Sequence, residues 1–250
     1  MTIIIISLLL LASLLPHLTF TAHVNVGIVD GTEARPNSRP YMVSLQTNGQ
    51  HICGGFLLSD EFVLTAAQCR NGYEILVVVG AHDLRHIKSS DVIRVKSYMS
   101  HPDYIPSTFQ NDIMLLRLEK KVELNHNVRR ISLPKNGEDV EAGTLCNVAG
   151  WGAMTTGPQS YRLMEAFTTT KNQTDCHRRW KSKFFPSQMI CAYGSGGSCK
   201  GDSGGPLVCG NTAVGVTSFS DPLNCNYSER PNVYTKISPF IQWIEEQMTC

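Results

Sequence analysis

Gly201-Asp202-Ser203-Gly204-Gly205-Pro206 is the most specific string in the sequence. A serine hemmed by glycines sits where backbone N–H groups can approach a substrate closely, because glycine lacks Cβ and tolerates dihedrals closed to other residues. Alone, such a string reads as a tight turn. Three others accompany it at wide separation: Ile28-Val29-Asp30-Gly31, Leu64-Thr65-Ala66-Ala67-Gln68-Cys69 and Asn111-Asp112-Ile113-Met114-Leu115-Leu116. Their co-occurrence makes chance a poor explanation. They lie among short apolar or alternating runs, broken by Gly, Pro, Asn and Asp, at 41–46, 62–66, 75–80, 92–98, 113–118, 144–150, 213–219 and 233–237. Val92-Ile93-Arg94-Val95-Lys96 shows the partial alternation of a half-exposed strand. Many short strands with Gly-rich turns predict an all-β protein, a barrel or a sandwich. One helix is predicted over 239–248, with Ser238 as its cap, Pro239 in its first turn, and Phe240, Ile241, Ile244 and Met248 on one face to cover apolar barrel surface.

The 250 residues admit one large all-β domain or two smaller ones, and 135–143, polar and turn-rich, divides the chain into comparable halves. A net charge of +1 argues against a general electrostatic grip on nucleic acid or an anionic membrane. The basic run His177-Arg178-Arg179-Trp180-Lys181-Ser182-Lys183 reads as a solvated surface segment. Residues 3–15 are almost unbroken aliphatics followed by Pro16 and the small pair Thr21-Ala22. That length suits a signal peptide over 1–22 and is short for a membrane span, so an exported protein without a span is expected. Nine cysteines fit an oxidising route, and Cys250 is left over if eight pair. Spacing does not give the pairing, because eight cysteines allow on the order of a hundred connectivities. With no CxxC pair the cysteines do not read as a zinc site, and the mixed-charge loop 82–92 does not read as a calcium site; no metal and no cofactor are expected. Asn172-Gln173-Thr174 and Asn226-Tyr227-Ser228 are N-glycosylation sequons.

From Ile28 to Cys250 the chain resembles a chymotrypsin-fold serine peptidase. Ser38-Arg39-Pro40-Tyr41-Met42-Val43-Ser44-Leu45-Gln46, Gly80-Ala81-His82-Asp83-Leu84 and His101-Pro102-Asp103-Tyr104 are most similar to the granzyme and mast-cell-protease branch stored in leukocyte granules. The resemblance implies two antiparallel six-stranded β-barrels, roughly 28–135 and 136–237, with the active-site cleft between them and the C-terminal α-helix beyond. It implies disulfides Cys53–Cys69, Cys146–Cys209, Cys176–Cys191 and Cys199–Cys225, the last of which many granzymes lack. It implies a nucleophile at Ser203, an orienting carboxylate at Asp112, and oxyanion-hole N–H groups from Gly201 and Ser203. It also implies a short propeptide over 23–27. Cleavage after Gly27 then frees the Ile28 ammonium to meet Asp202; Gly27 is not basic, so the activating protease is not trypsin-like.

At the position of the general-base histidine the sequence has Gln68. An imidazole takes the serine proton and returns it to the leaving amine because its pKa lies near physiological pH. A carboxamide has no usable basicity there, though it can still hydrogen-bond to Ser203 and Asp112. In a serine-peptidase triad, losing the histidine lowers kcat by about 10⁶-fold. His51, His82, His86, His101, His126 and His177 all match family positions away from the centre. The resemblance places the primary pocket at Gly197, Ser198, Ser220 and Asn232. With no acidic floor and two glycine positions filled, that pocket implies a small or medium uncharged side chain. Two functions follow. One is an inactive or severely impaired homologue acting through peptide or inhibitor binding. The other is an active endopeptidase, with Gln68 a sequence error or allele, or with the base supplied by substrate. Partners are peptide or protein substrates and inhibitors, and a monomer is expected.

Overall fold

β-Branched and aromatic residues dominate the apolar runs, and such residues fit a pleated, half-buried surface. A computed structural model of the chain describes residues 28, 30–154, 157–194, 196–221, 225 and 230–249. The expected leader, Gly27, Asn226 and Cys250 lie outside the described residues. In chain order the first seven strands are β1 (Thr32–Glu33), β2 (Met42–Thr47), β3 (Gln50–Leu57), β4 (Phe62–Thr65), β5 (Leu76–Val79), β6 (Val92–Ser100) and β7 (Met114–Leu118). The next eight are β8 (Leu145–Gly150), β9 (Ala153–Met154), β10 (Gly157–Gln159), β11 (Met164–Thr170), β12 (Met189–Tyr193), β13 (Pro206–Cys209), β14 (Thr212–Phe219) and β15 (Asn232–Lys236). Two α-helices among the described residues, α1 (Gln173–Trp180) and α2 (Ile241–Thr249), accompany them.

The first barrel closes in the order β2-β3-β4-β7-β6-β5. The second runs β11-β12-β15-β14-β13-β8 and closes through β8 on β11. β1 adds a short strand to it, pairing Thr32 with Glu165, while β9 and β10 form a separate ribbon. This is the two-barrel architecture that the resemblance implies. Full closure leaves few open strand edges.

Several strands do not announce themselves in the sequence, for identifiable reasons. β3 contains Gly54 and Gly55, which read as a break; yet a Cβ on Gly55 would stand 3.0 Å from Val43 and Val63, so the barrel wall needs the gap. In β11 the inward residues are Met164, Ala166, Thr168 and Thr170, while Phe167 is exposed, so the pattern of apolarity is nearly inverted. Nor does the sequence pattern single out α1. Asn172 caps it, its Oδ1 accepting from the Asp175 N–H at 2.7 Å, and Trp180 at its end is buried. The basic run thus belongs to a helix with one anchored face and an exposed remainder.

Before α2 the chain takes a 3₁₀ turn over Ser238–Phe240, and Ser238 makes no capping side-chain bond there. Phe240, Ile241 and Ile244 join the large apolar cluster filled by the first barrel, and His101 meets Phe240 and Trp243 at 5.2 and 5.1 Å between ring centres. The second barrel has its own core, which includes the fully buried Ile28. The four expected bridges are all formed: Cys53–Cys69, Cys146–Cys209, Cys176–Cys191 and Cys199–Cys225.

Candidate active site

β-Pairing register assembles this site. Thr65 at the end of β4 pairs with Met114 at the start of β7. That register brings the 3₁₀ turn Ala67–Cys69 beside Asp112, and the Cys53–Cys69 bridge ties the turn to β3. The loop before β13 carries Ser203. Gly54 N–H donates to Ser203 O at 2.8 Å, and Gly204 N–H donates to Thr217 O at 2.8 Å, so the loop is held by one strand from each barrel. Gly204 has φ +84°, and a Cβ there would collide with Thr65 Oγ1 and Gly54 O. Only glycine fits.

Asp112 is fully buried. Its Oδ1 accepts from Gln68 N–H at 2.9 Å, and its Oδ2 accepts from Gln68 Nε2 and from Ser218 Oγ, each at 2.6 Å. Burial raises its pKa above the usual carboxylate range, opposed by the bonds from Ser218, Gln68 and the Ala67 N–H. Gln68 Nε2 also donates to Ser218 O at 2.6 Å. Both amide hydrogens of Gln68 are therefore engaged. Among the described residues no hydrogen bond joins Gln68 to Ser203, and Ser203 Oγ has no partner. Of the two bonds the sequence allowed Gln68, the structure makes the one to Asp112. Ser218, which completes the carboxylate's surroundings, lies outside every motif; only its position in β14 marks it.

Among the described histidines none stands in. His51 is buried behind the loop, with Nδ1 2.8 Å from Ser44 Oγ and Nε2 2.9 Å from Gly201 O. A carbonyl only accepts, so Nε2 carries the proton and Nδ1 accepts from the serine hydroxyl. Burial pushes this imidazole down to about 4, and it is neutral at physiological pH. His82 and His86 face Glu33 and Asp83, and His101 packs on α2.

Gly201 has φ +99°, and a Cβ on it would crowd Gln159 Nε2 at 2.9 Å and Gly152 Cα at 3.0 Å. The N–H groups of Gly201 and Ser203, which the resemblance assigns to an oxyanion hole, make no hydrogen bond among the described residues. Between them, Asp202 turns inward. Its Oδ1 accepts from Gly152 N–H at 2.8 Å and its Oδ2 from Cys199 N–H at 2.9 Å. It has no cationic partner among the described residues, and burial pushes its carboxyl up to about 7.

Gln68 and Ser203 open on a cleft of about 380 Å³, lined also by Ser198 and Ser220. Gly197 and Asn232 are not on its wall. Asn232 Nδ2 sits behind Ser198, donating to Ser198 O at 3.1 Å and Oγ at 3.2 Å, and a Cβ on Gly197 would come 2.5 Å from that nitrogen. Phe109, Phe219 and Trp180 add an apolar wall. Phe219 stacks on Phe109 at 5.3 Å and meets Trp180 edge-on at 5.0 Å. None of the three falls in a motif, and they come together only through the fold.

A two-barrel frame with a glycine-bound serine and a buried aspartate points to the class, and comparison agrees. A family model named Trypsin matches residues 28–244, and the chain belongs to this family of chymotrypsin-fold serine peptidases. It is 39% identical to granzyme B(G,H) of Mus musculus, over 94% of this chain and 97% of that one. It is 42% identical to duodenase-1 of Bos taurus (88% and 89%) and 40% identical to cathepsin G of Homo sapiens (96% and 93%). The structure of neuropsin, a serine protease expressed in the limbic system of mouse brain, superposes with a TM-score of 0.82 at 35% identity, covering 88% of this chain and all of that one. Among the described residues no helix is long and apolar enough to cross a membrane.

Proposed function

We propose that this chain is an exported or granule-stored member of the trypsin family that holds peptides or protein inhibitors in its cleft and hydrolyses them poorly or not at all. The observation that carries this reading is the engagement of Gln68: both amide hydrogens go to Asp112 and Ser218 O, and nothing basic meets Ser203 Oγ. Binding geometry is retained while the proton relay is not. Ser203 is the nucleophile of the ancestral reaction, Asp112 now orients Gln68, and Gly201 and Ser203 offer the oxyanion donors. The pocket at Ser198 and Ser220, closed behind by Asn232 and Gly197, takes a small or medium uncharged side chain. Cleavage after Gly27 frees Ile28 to neutralise Asp202. Asn172 is exposed and, like Asn226, carries a sequon for a glycan.

A second reading is an active endopeptidase whose base comes from the substrate, or from a histidine encoded at position 68. The open N–H donors and the intact loop around Ser203 favour it. The test compares the processed chain with its Gln68→His variant on a diverse peptide library and a serine-directed fluorophosphonate. The variant should gain about 10⁴-fold or more in kcat/KM. Turnover by the unaltered chain within about tenfold of the variant overturns the inactive reading.

A further inference from the structure

Asparagine is followed by glycine at Asn48-Gly49, Asn71-Gly72 and Asn136-Gly137, and all six residues are exposed. Such a pair rearranges without an enzyme, because a residue lacking Cβ leaves its backbone nitrogen open to the neighbouring amide carbon. The glycine nitrogen bonds to the asparagine Cγ, the bond from Cγ to Nδ2 breaks, and ammonia leaves with the glycine N–H proton. Water then opens the cyclic imide at either carbonyl. The product is aspartate, or an isoaspartate whose backbone runs through Cβ. One water is consumed for each ammonia released, and no electrons are exchanged.

The three pairs differ in how their atoms are held. Gly137 N–H donates to Ser238 O at 3.4 Å, and Glu138 Oε2 accepts from Lys135 N–H at 2.9 Å, which closes the turn around Asn136. Asn48 and Gly49 link a hairpin in which Thr47 pairs with Gln50, with φ of +52° and +74°. The ladder locks that turn, and no donor meets Asn48 Oδ1 among the described residues. The turn at Asn71 is built differently. Gly72 N–H has no hydrogen-bond partner among the described residues, and a Cβ on Gly72 would meet nothing within 4 Å, so the loop has room to close a ring. Asn71 Oδ1 accepts from Tyr73 N–H at 3.1 Å. This bond folds the side chain over the Gly72 peptide. It also strengthens as negative charge builds on Oδ1 during attack, as a donor to a developing oxyanion does.

We propose that Asn71 is a site of spontaneous deamidation, which the fold favours over the other two pairs. Asn71 stands just past the turn that carries Gln68 and Cys69, on the exposed loop leading into β5. Conversion replaces a neutral amide with a carboxylate and lowers the net charge of +1 by one. The isoaspartyl product also lengthens the backbone of this loop by a methylene. Because the ammonia is lost, the loop records the age of the folded protein.

The experiment incubates the full chain at neutral pH in heavy-oxygen water, which labels each new carboxylate. Peptide maps read by mass spectrometry then give the labelled fraction at each asparagine. Asn71 should convert about tenfold faster than Asn48 or Asn136, the effect of one hydrogen bond to a developing charge. In urea the turns are gone, and the three rates should converge. Gly72→Ala should slow conversion at Asn71 and leave the other two sites unchanged. Equal rates at the three sites in the folded chain overturn the inference. So does an Asn71 preference that persists in urea, or a Gly72→Ala variant that converts as fast as the parent.

Discussion

At Gln68, where the resemblance places an imidazole, the side chain is an amide, and the difference alters more than basicity. A histidine paired with Asp112 would bring a cationic state able to compensate the buried carboxylate; a glutamine brings only dipoles. Asp112 thus depends on donors, and Ser218 Oγ at 2.6 Å is one of the closest. Ser218→Ala removes that donor while Asp112 stays buried, which costs about 1–3 kcal/mol. Its denaturant midpoint should fall accordingly, and Asp112 should titrate still higher. Unchanged stability would mean that the carboxylate is already protonated, or that Gln68 alone suffices. The identity of Gln68 is visible in the sequence, and so is its chemical deficit. Its bond to Asp112 is anticipated there too, but the one to Ser218 O is not, because it depends on where β14 places Ser218 relative to β4.

Helix α1 shows how one residue can carry two signals at once. Asn172-Gln173-Thr174 reads as a glycan acceptor and the following basic run as surface, yet Asn172 and Asp175 also form the signal of a capped helix. The two roles can be separated. Asn172→Ala removes cap and sequon together and should lower stability by about 1 kcal/mol. Asn172→Asp abolishes the sequon but keeps an accepting oxygen, and should melt within about a degree or two of the parent, the margin expected for an intact cap. Thermal melting of protein made without glycans distinguishes them, and equal losses in both variants would discount the cap. The strands of the first barrel are largely legible because their inward residues are Val, Ile and Leu. Those of the second are less so, because β11 turns threonines inward and Phe167 outward, and because β13 begins at a proline that reads as a break.

For the molecule as a whole, the central electrostatic fact is a buried carboxylate at Asp202 without a cation among the described residues. Its folded-state pKa, raised to about 7 from 3.8, means that the folded uncut chain binds more protons than the unfolded chain across that interval. The group's contribution to stability is therefore lost as pH rises from about 3.8 to about 7. In urea titrations the uncut chain should lose stability across this window relative to its Asp202→Asn variant, and cutting after Gly27 should abolish the difference. Parallel pH profiles for the uncut chain and variant would show that Asp202 is already neutralised. The two-barrel plan is legible because its motifs sit far apart; the coupling of its ends is not. β1 leaves the neighbourhood of Ile28 and docks on β11, and Arg39 holds Glu165 across 126 residues of chain. As the chain is synthesised from its N-terminus, this opening segment has no docking strand until much of the second barrel has been made. On the proposed maturation after Gly27, a protease acting before that docking meets a loose tether and one acting later meets a fastened one, so the order of synthesis and docking sets when the cut is made most readily.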